Sequence, residues 1–350
     1  MNKIKVLIVD DSALIRQMLT QILNSDEQIE VIATAPDPLI AREKIKKLNP
    51  DVLTLDVEMP KMDGVTFLRN LMRLRPMPVI MISTLTEQGA SITLEAMALG
   101  AVDCVAKPKT DVSNTLKEYA DDIIAKVKMA AKANVKPLEK PAPATKTSNK
   151  TSVQKLSELK LKASNKIIAI GSSTGGTEAL KDVVRTLPAS TPPIIVSQHL
   201  PAAFTESFTR HVDQAGAMTA CVAQNNQRLE AGHIYIAPGD KHLEVVKDGV
   251  HYVCRLNDGP LVNRHKPSVE VMFKSVAQNV GSNAIGVMLT GMGADGASAM
   301  KEMRDAGAKN IVQDEASSVV WGMPGEAYKL GAADHVVPLE KIAAQIIALL

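Results

Sequence analysis

The stretch KIIAIGSSTGG, residues 166–176, carries four apolar residues, Ile167 to Ile170, straight into a turn of Gly, Ser and Thr, and a helical pattern follows. A buried strand that breaks into small residues before a helix marks the ligand-binding end of an α/β sheet. Glycine lets the backbone turn sharply, and a helix N-terminus offers unpaired N–H groups to negative charge. Three chemistries use such a turn. Gly171 and Gly176 have P-loop spacing, but Thr177 and Glu178 stand where Lys and Ser/Thr belong. A dinucleotide fingerprint fails because Ser173 occupies the position of its middle glycine. Gly171, Ser173 and Gly175 do satisfy G-x-S-x-G, which sets a serine on a tight strand-to-helix turn.

C-terminal to this turn, strand patterns at 194–197, 233–237, 242–247, 250–256, 284–290 and 309–313 alternate with helical patterns near 176–187, 202–213, 268–280, 295–306 and 338–349. An apolar stretch lies at 217–223, and Asp248-Gly249 between two strand patterns signals a hairpin. Residues 166–350 are therefore expected to form a mainly parallel α/β domain with an inserted antiparallel hairpin.

A serine needs a base to become nucleophilic, and the base needs an orienting acid. Of seven histidines, His211 falls in a helical pattern, and His233, His242, His251 and His335 occupy strand or edge positions with structural roles. His199 and His265 lie in loops. His199 follows strand 194–197 directly, on the same rim as Ser173, which makes it the better base. The segment LTGMGADGA, 289–297, repeats the strand, glycine turn and helix logic and places Asp295 on that rim, as acid, as helix N-cap, or as both. Gly291 and Gly293 expose backbone amides, so the N–H of Met292 is a candidate oxyanion donor.

N-terminal to the turn, residues 132–165 are rich in Pro, Ala, Thr, Ser and Lys and read as a solvated linker. Val153, Leu156, Leu159 and Leu161 could line a short helix there, but an unstructured lead-in fits better. Nine lysines against Glu139 and Glu158 give residues 132–166 a local charge of +7, so the rest of the chain, with +2 overall, carries −5. The folded parts are mildly acidic, which argues against a nucleic-acid partner. No run of about 18 apolar residues predicts a membrane span, no signal-peptide pattern opens the chain, and Cys104, Cys221 and Cys254 form no C-x-x-C, all consistent with a cytoplasmic location.

Residues 1–131 alternate regularly, with strands at 4–9, 29–34, 51–55, 78–82 and 102–106 and helices near 13–24, 38–48, 64–74, 87–99 and 112–131. Ser12 and Asp37 are candidate N-caps and Gly100 a helix stop. Five such strands imply a parallel, doubly wound sheet. Polar residues collect at the strand ends: Asp10 and Asp11, Asp56, Ser83, and Lys107. Clustered carboxylates repel and call for a hard cation, of which Mg²⁺ is the natural choice.

This segment resembles a response-regulator receiver domain through Asp10-Asp11, Asp56 with Glu58-Met59-Pro60 and Asp63-Gly64, Ser83, and Lys107-Pro108. The resemblance implies a flavodoxin-like fold with Asp56 as phosphoacceptor. It implies Mg²⁺ on Asp10, Asp11, Asp56 and the backbone carbonyl of Glu58, with Ser83 and Lys107 on the phosphoryl group and a cis Lys107–Pro108 bond. The second domain, through GSSTGG, SQHLP, RHKPSVEVMF and LTGMGADGA, resembles the chemotaxis protein-glutamate methylesterases. Carried over, Ser173 is the nucleophile, His199 the base and Asp295 the acid. The order Ser, His, Asp differs from that of α/β-hydrolases, and Ser172 adds a second hydroxyl where a small residue such as Ala is usual. The resemblance implies hydrolysis of glutamate methyl esters on chemoreceptors, deamidation of receptor glutamines, and a histidine kinase as phosphodonor, with no cofactor for the esterase step. Phosphorylation of Asp56 is expected to shift the receiver from a covering to an open arrangement. The alternatives are a transcriptional, a nucleotide-binding or a non-catalytic output domain.

Overall fold

A computed structural model of the chain describes residues 3–59, 62–84, 86–107, 113–135, 137 and 165–350. It separates into two units, Met1–Pro141 and Ala142–Leu350.

The first unit runs β1 (Ile4–Val9), α1 (Ala13–Asn24), β2 (Ile29–Ala35), α2 (Pro38–Leu48), β3 (Val52–Asp56), α3 (Gly64–Leu74), β4 (Val79–Ser83), α4 (Glu87–Ala98), β5 (Asp103–Ala106) and α5 (Ser113–Ala130). All strand pairs are parallel, in the order β2-β1-β3-β4-β5. Helices on both faces explain why β3 and β4 read as continuous apolar runs and are buried at every position. The helix starts follow local chemistry: Ser12 Oγ accepts from the Ile15 amide, and Asp37 accepts from Leu39 and Ile40 ahead of Pro38 in the first turn. Strand order reverses between β1 and β3, which opens a crevice beside Asp10, Asp11 and Asp56.

The second unit contains β6 (Ile167–Ser172), α6 (Gly176–Arg185), β7 (Ile194–Gln198), a 3₁₀ turn (Ala202–Phe204), α7 (Thr205–Asp213), β8 (Thr219–Val222) and β9 (His233–Ile236). It continues with β10 (His242–Asp248), β11 (His251–Asn257), α8 (Val269–Asn279), β12 (Ala284–Met288), α9 (Ala297–Asp305), β13 (Lys309–Gln313), α10 (Met323–Lys329), β14 (His335–Val337) and α11 (Leu339–Leu349). Seven strands form one parallel sheet in the order β14-β13-β12-β6-β7-β9-β8. The hairpin β10–β11 forms its own two-stranded sheet, turning at Gly249 with φ 58°. The chain leaves β6 toward one edge and β12 toward the other, so the switch point lies between these two neighbours.

Several boundaries differ from the predicted ones. β6 extends through Gly171 and Ser172, because both still pair with Ser197 and Gln198 on β7. The helix predicted from 295 starts at Ala297, which leaves Asp295 in the loop. α10 and β14 are absent from the predicted pattern. α10 has only seven residues and includes Pro324 and Gly325, and β14 has three, so neither supplies a periodic signal. Pro108 and the segment 153–161 considered for a short helix lie outside the described residues. Among the described residues, no helix is long and apolar enough to cross a membrane.

Candidate active site

Ser173 follows β6, His199 follows β7 and Asp295 follows β12, three neighbouring strand ends at the switch point. His199 Nδ1 lies 3.1 Å from Ser173 Oγ, and His199 Nε2 lies 2.8 Å from Asp295 Oδ2. The three residues thus form one continuous hydrogen-bonded chain, with Nδ1 toward the serine and Nε2 toward the acid. The His199 and Asp295 side chains are both buried. Burial opposes ionisation of Asp295, but the hydrogen bond and charge of His199, with bonds from Asn263 and Ser268, outweigh it and lower its pKa to about 2. The acid is therefore charged at neutral pH.

Asp295 does cap a helix, but not the one that follows it. The N-cap of its own helix α9 is Gly296, and the N-cap of α8, Ser268, makes no side-chain cap bond. Asp295 supplies that cap instead: Oδ2 accepts from the Val269 amide at 2.7 Å, and Oδ1 accepts from Ser268 Oγ at 2.7 Å and the Glu270 amide at 3.3 Å. Glu270 reciprocates, accepting from the Gly296 amide at 3.1 Å. The positive end of α8 thus helps keep the orienting acid ionised. Val269 is seated by close approach, since a Cβ on Gly171 would stand 2.3 Å from its Cγ1.

Ser172 points elsewhere. It is fully buried, and its hydroxyl donates to Gln198 Oε1 at 2.6 Å. Gln198 Nε2 in turn donates to the carbonyls of Ser173 and His199. Successive residues of a strand face opposite sides, which is why two adjacent hydroxyls divide between a structural and a reactive position.

His265 is the residue that sequence reasoning ranked second as base. The structure places it face to face with His199, ring centroids 3.7 Å apart and planes 12° apart. Val262 and His265 exchange both backbone hydrogen bonds, with Asn263 (φ 52°) and Arg264 (φ 68°) between them, as in a two-residue type I′ turn. Asn263 Nδ2 donates to Asp295 Oδ1 at 2.8 Å. This turn therefore holds both the base and the acid, and no motif spacing signals it. Replacing His265 with Ala should free the His199 ring and lower kcat by on the order of 10–10²-fold, while His265→Phe retains most of the rate. Steady-state kinetics on both variants checks this.

Met292, the candidate oxyanion donor, lies in the loop after β12, beside the nucleophile: a Cβ on Gly291 would stand 2.9 Å from Ser173 Cβ. The Met292 amide donates to no acceptor among the described residues, whereas the amide of Ser173 is engaged by the Thr290 carbonyl at 3.1 Å. His211, His233, His251 and His335 lie on elements away from this rim, and His242 is buried between the Pro260 carbonyl and the Ser268 amide.

In the first unit, Asp10, Asp11 and Asp56 bring one carboxylate oxygen each to within 4.8 Å of one another. Lys107 Nζ lies 2.7 Å from Asp56 Oδ2 and 3.9 Å from Asp10 Oδ2. Burial, together with the charge of Asp10, pushes the Asp56 carboxyl up to about 6 despite Lys107. Asp10 Oδ2 is buried with no hydrogen-bond partner, and a cation ligated by oxygen would supply one. The donor set therefore fits Mg²⁺. Glu58 is turned back by its amide, which donates to Asp56 Oδ1 at 3.3 Å. Ser83 ends β4, and its hydroxyl is engaged with α4, accepting from Thr93 Oγ1 at 2.8 Å.

Comparison with known proteins decides between the output classes. The CheB methylesterase family matches residues 168–346, and the response regulator receiver domain matches residues 6–126. The chain belongs to the CheB methylesterase family. A protein-glutamate methylesterase/protein-glutamine glutaminase of Hydrogenovibrio crunogenus (strain DSM 25203 / XCL-2) is 56% identical, with 100% of each chain covered. A second, from Xanthomonas campestris pv. campestris, is 56% identical and covers 99% of this chain and 97% of its own. The CheB methylesterase catalytic domain of Thermotoga maritima aligns with a TM-score of 0.53 and 35% identity over 54% of this chain and 100% of its own. The molecule is thus a hydrolase of the protein-glutamate methylesterase/protein-glutamine glutaminase family joined to a response-regulator receiver. The family places it in chemotactic adaptation, and neither a nucleotide-binding nor a non-catalytic output domain is favoured.

Proposed function

We propose that Ser173, His199 and Asp295 hydrolyse γ-methyl esters of glutamate on chemoreceptors. The observation that supports this most directly is the hydrogen-bonded chain from Ser173 Oγ through His199 to Asp295. Ser173 Oγ attacks the ester carbonyl as its proton passes to His199 Nδ1, and Asp295 stabilises the imidazolium through Nε2–H. The oxyanion accepts from the Met292 amide. His199 then returns the proton to the leaving methoxide, releasing methanol. Water, deprotonated by the same nitrogen, cleaves the acyl-enzyme to glutamate and Ser173. A glutamine side chain presents the same carbonyl with ammonia as leaving group, which accounts for deamidation by the same groups.

In the receiver, Asp56 accepts a phosphoryl group from a histidine kinase. Asp10, Asp11, Asp56 and the Glu58 carbonyl would hold Mg²⁺, which neutralises charge on the phosphoryl oxygens when bound. Lys107, already 2.7 Å from Asp56, supplies a second cation there. Ser83 donates to the phosphoryl group by turning its O–H away from the carbonyls of Thr84 and Gly89. Residues 132–165 serve as the tether between the two functions.

Methanol release from methylated receptor membranes, with and without acetyl phosphate, tests both activities together. Acetyl phosphate is expected to label the wild-type chain in the presence of Mg²⁺. Asp56→Asn, or chelation of the metal, should abolish labelling, read by intact-protein mass spectrometry.

A further inference from the structure

The oxyanion reading of Met292 raises the question of what aims its N–H. The Gly291–Met292 peptide is planar, so the Gly291 carbonyl and the Met292 amide point in opposite directions, and fixing one fixes the other. That carbonyl accepts two hydrogen bonds from the start of α10, from the Gly322 amide at 3.0 Å and the Met323 amide at 2.9 Å. The Gly291 amide donates to the Val320 carbonyl at 3.0 Å, and Gly291 pairs with Trp321 as an isolated parallel bridge. Gly291 thus bonds through both its amide and its carbonyl to the strap, residues 314–322, and the start of α10, and it also abuts Ser173.

The strap has little regular structure of its own, yet it is pinned along its length. The Trp321 indole N–H donates to the Gln313 carbonyl at 2.9 Å. Thr290 Oγ1 accepts from the Val320 amide at 3.0 Å, and the Ser317 amide and hydroxyl both donate to Asp314 Oδ1. Gln313 ties the two segments together, accepting from the Thr290 amide at 2.8 Å and donating to the Ser317 carbonyl at 2.9 Å.

Gly322 packs closely against the Gly291–Gly293 backbone. Its backbone, at φ −82° and ψ −76°, is one that any L-residue can adopt. The need for glycine there is one of space: a Cβ would stand 2.7 Å from the Gly291 carbonyl oxygen and 2.8 Å from the Gly293 amide nitrogen. We infer that the first turn of α10, through Gly322 and Met323, is the positioning element of the oxyanion site, holding the Met292 N–H on the Ser173 side. This rests on Met292 being the oxyanion donor.

Gly322→Ala tests the inference, since the three atoms nearest the added Cβ all belong to the Gly291–Gly293 segment. We expect kcat for methanol release to fall by roughly 10–10²-fold with KM unchanged. Affinity for a small alkyl boronic acid, whose tetrahedral adduct on serine mimics the oxyanion state, should fall by a similar factor in boron NMR titrations. Gly331→Ala is the control: it strains the far end of α10 at φ 66° with no atom within 4 Å of the added Cβ, and should leave both readouts unchanged. Should the alanine variant not fold, Trp321→Phe removes the bond to Gln313 and is expected to lower kcat and boronate affinity in the same direction. If the folded Gly322→Ala or Trp321→Phe chain keeps wild-type kcat and boronate affinity, the inference is wrong. If the wild-type chain releases methanol but forms no tetrahedral adduct, the oxyanion reading of Met292 fails first and takes this inference with it.

Discussion

Replacing Ser173 with alanine is expected to lower methanol release by on the order of 10⁶-fold while leaving the thermal midpoint near that of the wild type. The nucleophile is the atom that forms the acyl bond, and removing its half-buried hydroxyl costs His199 Nδ1 one partner while Nε2 keeps its bond to Asp295. Ser172→Ala should do the opposite. Its hydroxyl lies in the interior and bonds Gln198 Oε1 at 2.6 Å, so its loss leaves a buried acceptor unsatisfied. That corresponds to roughly 1–3 kcal/mol of stability. The rate should fall only modestly, through the weakened hold of Gln198 on the Ser173 and His199 carbonyls. Parallel methanol assays and melting curves separate the two hydroxyls, and the reverse pattern would make Ser172 the nucleophile.

Asp295→Asn is the second large effect, and it should appear in both activity and stability. The carboxylate accepts from five groups: His199 Nε2, Asn263 Nδ2, Ser268 Oγ, and the amides of Val269 and Glu270. An amide has only one accepting end, so it faces at least one of these donors with its own N–H. With the acid gone, His199 loses its tautomer and its countercharge, and kcat should drop by on the order of 10⁴-fold. The stability effect has a defined sign. Asp295 is lowered from the ordinary 3.8 to about 2, so its contribution is complete above pH 4 and disappears as pH falls through about 2. A depression of that size corresponds to roughly 2–3 kcal/mol. Denaturant titrations at pH 7 and pH 2 should therefore show the variant losing stability at the higher pH and converging with the wild type at the lower. A constant offset between the two would remove the linkage.

Most of the helices and strands of both units were legible because parallel strands buried on two faces read as apolar runs, and helices between them start at recognisable caps such as Ser12 and Asp37. Ser173, His199 and Asp295 were legible for a related reason: Ser173 and His199 follow directly on strands of one sheet, Asp295 lies in the glycine loop after a third, and the ends of neighbouring strands must share a rim. The contacts that aim these residues were not. The His265 stack depends on a two-residue turn with Asn263 and Arg264 at positive φ; Asn favours that conformation but Arg stands where the turn signal would be Gly. The predicted N-cap role of Asp295 was right in kind and wrong in partner, because capping across space leaves no trace in local spacing.

The order of apolar runs, glycine turns and polar strand ends by itself indicated the two α/β units, the carboxylate cluster around Asp56, and Ser173 and Asp295 of the proposed catalytic chain, and it favoured His199 over His265 as the base. Only the tertiary structure decided which of two adjacent serines faces His199, which helix Asp295 caps, and how the strap at 314–322 grips the Gly291 carbonyl. Sequence patterns record what each residue does for its own strand or helix. A side chain's orientation and a peptide's direction are settled by partners twenty to a hundred or more positions away, which no local period encodes.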